Sequence, residues 1–404
     1  MINACVVGLG GRGRSLTRNV LLNNADINIV AVCDLYEDRV QMTLDLVKEK
    51  GGEAKGYLDY KEAISNEKLD AVYVFTGWEY HTEIAIYAME HGIAVASEVG
   101  CEYSLENLFK LVEVQEKTGV PYMFMENCCY DRNELLATAM ARKGMFGEIV
   151  HCAGAYGHDL RKEVSHGIKN RHYRFKNYEN RNLENYPTHE LGPIARLLNI
   201  NRGNRIVSVS SFASKSAGLK EYIKNCEDAD DIMKNAEFKQ GDIVTTVLTC
   251  QNGETILLRL DTTLPRSYSR EFTVRGTKGL YLQETNTVYL DGEQEYWQPV
   301  DFNRETLDNA KKYEEEFLPD IWKNITPEEM QRGHGGMDWF VYKAFADNLQ
   351  KGTPMPIDVY DGATWMAVSV LSEMSIANGG APQLMPDFTK GKWHLRKPED
   401  VIEL

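Results

Sequence analysis

The glycine turn at residues 8 to 13 constrains this chain more than any other feature. Residues 2 to 7, INACVV, form a short apolar run that ends in Gly8-Leu9-Gly10-Gly11-Arg12-Gly13, and RSLTRNVLLNN follows with helical periodicity. Strand, glycine turn and helix is the start of a dinucleotide-binding unit: Gly8 allows the tight turn, Gly10 lets a pyrophosphate approach the backbone, and Gly13 lets helix and strand pack closely. The run INIVAVCD at 27 to 34 reads as a second buried strand ending in Asp34, about twenty residues past the last glycine. A carboxylate there can accept hydrogen bonds from ribose hydroxyls and repels a 2′-phosphate, which favours NAD over NADP.

The alternation continues with a helix near 37 to 50, a strand at 70 to 75, a helix at 79 to 91, a strand at 93 to 97, a helix near 104 to 118 and a strand at 121 to 125. Such repeats predict an α/β fold with a Rossmann-type doubly wound parallel sheet, its ligand beyond the carboxyl ends of the strands. Those ends carry Thr76-Gly77-Trp78-Glu79-Tyr80-His81, then Glu98-Val99, then Glu126-Asn127. Packing and helix capping would also account for Trp78 and His81; their place at a strand end favours a cofactor.

The length of 404 residues calls for at least two domains, and we expect a dinucleotide-binding domain at 1–126 and a substrate-binding and oligomerisation domain at 127–404. Late helices near 305 to 317, 336 to 350 and 359 to 377 are expected beside the second sheet or back on the first domain. With 60 acidic against 45 basic residues the formal charge is −15, which would repel a nucleic-acid backbone. The eight cysteines are dispersed and read as reduced thiols; Cys128-Cys129 lacks metal spacing, and no metal is expected. No export signature or membrane span is visible, so a soluble cytoplasmic protein is expected.

From about 130 the pattern changes: helix DRNELLATAMARKG, strand 148 to 157, then a polar stretch to 185 read as a long structureless loop. YPTHELGPIARLL reads as a helix with Pro187 in its first turn, followed by strands at 205 to 214, 242 to 250, 254 to 262, 270 to 276 and 279 to 283. Asn252-Gly253 is expected to be a two-residue hairpin turn, making the second domain α+β with a largely antiparallel sheet.

Tyr186 and His189, three apart at a helix start, can face one point. Imidazole moves protons at neutral pH, whereas a phenol needs a neighbouring cation or dipole. A buried tyrosine beside a capping histidine is the alternative. Tyr156 and His158 end the strand AGAYGHDLR, alternating in face, and Arg174 sits in the polar stretch. Sugar hydroxyls require such donors and acceptors, though a solvated loop would share the composition. Tyr268 follows a strand edge and could simply pack there.

The motifs GLGGRGR, TGWEYH, SEVG, MENCCY, GAYGHDLR, YPTHELGP, LNINRGNR, DIVTT, LPRSYS and GHGGMD together resemble the nicotinamide-dependent α-N-acetylgalactosaminidase family, within the glucose-fructose oxidoreductase (Gfo/Idh/MocA) superfamily. Superfamily dehydrogenases commonly carry Glu-Lys-Pro where this chain has Glu98, Val99 and Gly100, and the galactosaminidase family lacks that lysine too. The resemblance implies a redox-neutral glycosidase with tightly bound NAD: transient oxidation at C3, elimination across C1 and C2, water addition and re-reduction. It implies cofactor contacts at Gly8, Gly10, Arg12, Gly13, Asp34, Trp78, His81, Glu98, Val99 and Asn127. The implied substrate shell is Tyr156, Arg174, Tyr186, Pro187, Thr188, His189 and Tyr268. Among these, His189 would handle the O3 proton, Tyr186 the C2 proton and His158 the departing or entering oxygen, supported by Glu126. The substrate would be an α-N-acetylgalactosaminide or related hexoside. By superfamily analogy the chain would be a homo-oligomer. It departs from its relatives at Thr76–His81, where they commonly show a proline and a second tryptophan, and at Glu190, where they tend to have glycine. The competing readings are a sugar or inositol dehydrogenase that releases NADH and a non-catalytic NAD-dependent sensor.

Overall fold

The computed structural model describes residues 1–294 and 306–404, which divide into two compact units. The first comprises Met1–Asn127 with Ile325–Ala363, and the second Cys128–Asn324 with Thr364–Leu404. The last boundary falls inside the helix Val359–Ala377.

In the first unit, β1 (Ile2–Val7), β2 (Ile27–Cys33), β3 (Lys55–Tyr57), β4 (Ala71–Val74), β5 (Ala94–Ser97) and β6 (Tyr122–Phe124) form one parallel sheet ordered β3-β2-β1-β4-β5-β6. The strands β4, β5 and β6 are buried throughout, as continuous apolar runs must be when helices cover both sheet faces. The order reverses between β1 and β4, the switch point at which such sheets bind ligands. Local chemistry ends the helices: Ser104 Oγ accepts from Asn107 N at 3.2 Å to cap Leu105–Thr118. The returning segment completes the core. Tyr342, in the helix Met337–Lys351, stacks on Tyr73 with centroids 5.9 Å apart, and Ile357 O accepts from Phe124 N at 3.0 Å.

In the second unit, β7 (Ile149–Gly157), β8 (Ile206–Ala213), β9 (Ile243–Cys250), β10 (Thr255–Asp261), β11 (Thr273–Gly276), β12 (Gly279–Leu282), β13 (Thr287–Leu290) and β14 (Gln383–Leu384) form a sheet ordered β13-β12-β11-β7-β10-β9-β8-β14. Among the described residues the β7–β10 pair is the one parallel pairing of this sheet, and the others are antiparallel. Alternating burial along β9 shows one covered face. The helix Thr188–Leu197 packs on β7, where a Cβ on Gly154 would come within 2.7 Å of Glu190 Cβ.

Three expectations need correction here. The polar stretch after β7 is not structureless, since it folds into helices Arg161–Ser165 and Arg174–Asn180, which bury Val164, Ser165, Arg174, Asn177 and Tyr178. The β9–β10 hairpin has three loop residues, because Thr249 pairs with Thr255 and Cys250 N donates to Glu254 O at 2.9 Å. Gly253 takes φ +101° in the bulge position that such loops reserve for glycine. Finally, the helix expected at 305–317 begins outside the described residues; within them the segment is a 3-10 turn at Asn309–Tyr313 followed by Glu314–Phe317. None of the eight cysteines is joined in a disulfide among the described residues, and all but Cys226 are buried. No described helix is long and apolar enough to cross a membrane.

Candidate functional site

In the first unit the glycine turn has the geometry that a dinucleotide cradle requires. Gly8 adopts φ +97°, and a Cβ on Gly13 would lie 2.0 Å from Gly8 O, so larger residues would part helix from strand. A Cβ at Gly10 would meet only Arg39 Nη1, at 3.6 Å, which leaves that face of the turn open to a ligand. The helix Gly11–Asn19 begins there without a side-chain cap, its first N–H groups available to an anion. Asp34, at the end of β2, accepts from Leu9 N at 2.6 Å and Tyr36 N at 3.0 Å, with Arg39 Nη1 3.8 Å away.

Arg12, Glu98 and Asn127 converge, and two residues without a sequence-assigned role join them. Arg12 donates to both oxygens of Asp338, at 2.7 and 2.9 Å, and to Glu98 Oε1 at 3.2 Å. Asn127 Nδ2 donates to Asp338 Oδ1 at 2.7 Å, and Tyr342 OH to Glu98 Oε1 at 2.7 Å. Burial by itself would raise the Asp338 carboxyl, but the Arg12 charge and hydrogen bonds from Arg12 and His334 outweigh it and hold it well below the usual range. The signal for Asp338 was present in GHGGMD, but nothing local shows that a residue so distant in sequence reaches Arg12.

The remaining strand-end residues of this unit are also buried. Trp78 is buried against Gly100, where a Cβ would come within 2.4 Å of its Cδ1. His81 Nε2 donates to Thr76 O at 3.0 Å, and burial lowers its proton affinity, so the ring is neutral. Its Nδ1 is buried and makes no hydrogen bond among the described residues, a lone pair available to a ligand donor. Val99 and Glu126 are buried at the ends of β5 and β6.

In the second unit, Tyr156, His158, Arg174, Tyr186, His189 and Tyr268 form one continuous cluster. Register places it: Leu260 of β10 pairs with Tyr156 of β7, and Gly157 N donates to Ser269 O at 3.1 Å, which draws Tyr268 to the strand end. Tyr156 and His158 do not alternate in face. A strand returns to the same side after two residues, and Tyr156 OH lies 3.0 Å from His158 Nδ1. Tyr186 precedes the helix that starts at Thr188, with Pro187 as its N-cap residue instead of within its first turn. Its ring meets His189 edge-on at 4.8 Å and Tyr156 at 4.5 Å, while His158 meets Tyr268 at 5.2 Å.

The Arg174 guanidinium carbon lies 5.0 Å from the Tyr186 ring centroid, and Arg174 Nε is 3.3 Å from Glu163 Oε1. Burial, then the Arg174 charge, lowers the proton affinity of His158; burial raises Tyr156 and Tyr268. Arg270 donates to Tyr268 OH at 3.2 Å and is anchored by Glu134 and Asp131, each at 2.8 Å. Thr188 Oγ1 is buried and makes no hydrogen bond among the described residues. Sequence reasoning missed Glu163, Arg270 and Glu134, charged residues that read as surface until their burial is known.

Residues 130–395 match the glycosyl hydrolase 109 C-terminal domain, and residues 2–126 match the NAD-binding Rossmann fold of an oxidoreductase family. The chain is 38% identical to a glycosyl hydrolase family 109 protein of Stenotrophomonas maltophilia, over 98% of this chain and 91% of that one. It is 36% identical to an alpha-N-acetylgalactosaminidase of Tannerella forsythia, covering 98% and 88% of the two. Among solved structures it is similar in fold to scyllo-inositol dehydrogenase from Lactobacillus casei with bound NAD(H) and scyllo-inositol, at TM-score 0.66 and 14% identity over 95% of this chain and 99% of that one. A nicotinamide-binding Rossmann unit followed by that carboxyl-terminal domain, with this identity across nearly the whole length, makes the chain a member of glycosyl hydrolase family 109, a glycosidase acting on carbohydrate.

Proposed function

We propose that this protein is a redox-neutral NAD-dependent glycosidase that cleaves α-N-acetylgalactosaminides or related hexosides. The cofactor would be held by residues 1–126, through the turn at Gly8, Gly10, Arg12 and Gly13, Asp34, and the strand-end group Trp78, His81, Glu98 and Val99, together with Asn127 just beyond. The substrate would be held by residues 127–404. NAD is proposed over NADP because Asp34 presents a carboxylate at the end of β2, and that carboxylate also partners Arg39, the nearby cation that could otherwise hold a 2′-phosphate. Bound NAD would supply a reversible hydride acceptor for C3 of the sugar, making the C2 proton acidic while C3 is a ketone and leaving the cofactor unchanged overall.

The protein's own groups would move the protons. The observation that carries this reading is the buried Arg174 guanidinium over the Tyr186 ring, a fixed positive charge beside a phenol. A positive charge beside a phenol favours the phenolate, which suits Tyr186 to C2. His189, edge-on to Tyr186, would take the O3 proton. His158, its Nδ1 occupied by Tyr156 OH, would serve the departing or entering oxygen at Nε2, and its lowered proton affinity favours the entering water. Tyr268 and Thr188 would contact sugar hydroxyls, Thr188 through its buried Oγ1, which makes no hydrogen bond among the described residues. This chemistry does not require the two carboxylates that flank the bond in direct glycoside hydrolysis.

Turnover of an aryl α-N-acetylgalactosaminide in D₂O tests the reading. Deuterium at C2 of the released sugar is expected. Unlabelled product refutes the elimination, and stoichiometric NADH during turnover refutes the redox-neutral cycle in favour of a dehydrogenase.

A further inference from the structure

A second group of ligating side chains lies in the carboxyl-terminal unit, outside the tyrosine and histidine cluster. His166 follows the helix Arg161–Ser165, and Cys226 and Asp228 follow the helix Gly218–Lys224. One ligand atom from each lies within 4.8 Å of the others. The closest approaches are His166 Nε2 to Asp228 Oδ2 and Cys226 Sγ to Asp228 Oδ1, both 3.2 Å.

The orientation of His166 suits it to hold a cation. Its Nδ1 is 2.9 Å from Lys162 O, and a carbonyl can only accept, so Nδ1 carries the proton. Nε2 is buried and faces the Asp228 carboxylate, 3.2 Å from Oδ2. Lone pairs that face each other at this distance repel unless a positive charge, a proton or a metal cation, lies between them. An imidazole oriented by Nδ1–H to a backbone carbonyl, with Nε2 turned toward other ligand atoms, is the usual arrangement of a metal-ligating histidine.

The separations come close to what a metal needs, and the exposed Asp228 carboxylate has room to move outward. Bonds of about 2.0–2.3 Å in a tetrahedron give ligand–ligand edges of roughly 3.3–3.8 Å. The two loops are tied together in advance: Asp230 N donates to Ser165 O at 3.0 Å, and Asp230 Oδ2 accepts from Ile168 N at 2.7 Å and Lys169 N at 3.2 Å. Lys169 Nζ bonds the main-chain oxygen of Asp228 and leaves its carboxylate to the cluster. Cys226 and Asp228 line an open cavity of 530 Å³, which leaves a coordination position to water or a small ligand.

We infer that His166, Cys226 and Asp228 form a three-ligand site for a divalent cation of the zinc class, open at its fourth position. Binding would replace the thiol proton of Cys226, released to solvent, with a metal–thiolate bond. This inference is independent of the reaction proposed above.

The test uses the full chain, stripped with chelator and titrated with Co²⁺. One equivalent should produce a thiolate-to-cobalt charge-transfer band, and Zn²⁺ should displace it. Cys226→Ser should abolish the band, and His166→Ala should weaken binding at least about 10-fold. In the unaltered protein, Zn²⁺ should slow alkylation of Cys226, followed by peptide mapping, by at least as much; this arm decides the matter should a variant misfold. Absence of the band, its survival in Cys226→Ser, or alkylation indifferent to Zn²⁺ overturns the inference.

Discussion

Replacing Asp338 with asparagine takes one negative charge from a buried position that accepts two hydrogen bonds from Arg12 and one from Asn127. The amide must also turn an NH₂ toward a group that donates. Removing one partner of a buried ion pair costs about 3–5 kcal/mol. Arg12 retains Glu98, and its side chain is 34% exposed, so solvent and the second carboxylate absorb part of that loss and about 2–3 kcal/mol remains. At about 2–4 °C per kcal/mol for a unit of this size, the melting transition of the amino-terminal unit should fall by about 4–12 °C. The pH dependence is more diagnostic. A carboxyl depressed on folding contributes stability that is fully present above its unfolded value of about 3.9 and is lost as pH falls through the lower folded value. The gap between wild type and Asp338→Asn, followed by circular dichroism, should be constant from about pH 5 to 8 and close in acid below about pH 4. A variant that melts with the wild type at neutral pH, or a gap that persists unchanged into acid, would refute the assignment of Asp338 as the anchor of Arg12.

Tyr186→Phe should lower kcat by about 10²–10⁴-fold and abolish C2 deuteration of recovered substrate while the protein stays folded; unchanged exchange by mass spectrometry would remove Tyr186 from the proton path. Because burial and then Arg174 lower the proton affinity of His158, the acid limb of kcat/KM should lie below the usual imidazole value of about 6.5 and vanish in His158→Gln. A limb retained in that variant assigns it to another group. Gly154→Ala should destabilise the carboxyl-terminal unit by about 1–3 kcal/mol in urea unfolding, since the new methyl meets Glu190 Cβ at 2.7 Å; a neutral result would mean that the helix Thr188–Leu197 shifts freely on β7.

Much of the architecture was legible because its signals are local. The turn at residues 8 to 13 needs glycines for reasons contained within a few residues, and the apolar runs of β1, β2, β4 and β5 announce a sheet covered on both faces. The convergence of Tyr156 with His158 follows from the strand period, although alternation of faces was the wrong inference to draw there; Tyr186 does meet His189, but from the turn before the helix and not through helical spacing. The short helices after β7 were illegible because their polar residues find partners only in the folded chain, as Arg174 finds Glu163 and Tyr186.

Composition and spacing were thus enough to specify the main strands and helices of the amino-terminal sheet and which residue types collect at its strand ends. They could not specify which charge meets which. Asp338 and Tyr342 reach Arg12 and Glu98 only because the segment 325–363 returns to the first unit, and Arg174 settles on Tyr186 only because the polar stretch folds back over the helix start. Backbone conformation responds to neighbours a few residues away, whereas the partner of a buried charge is selected by the desolvation cost of leaving it unpaired, a cost that exists only once the core has closed around it.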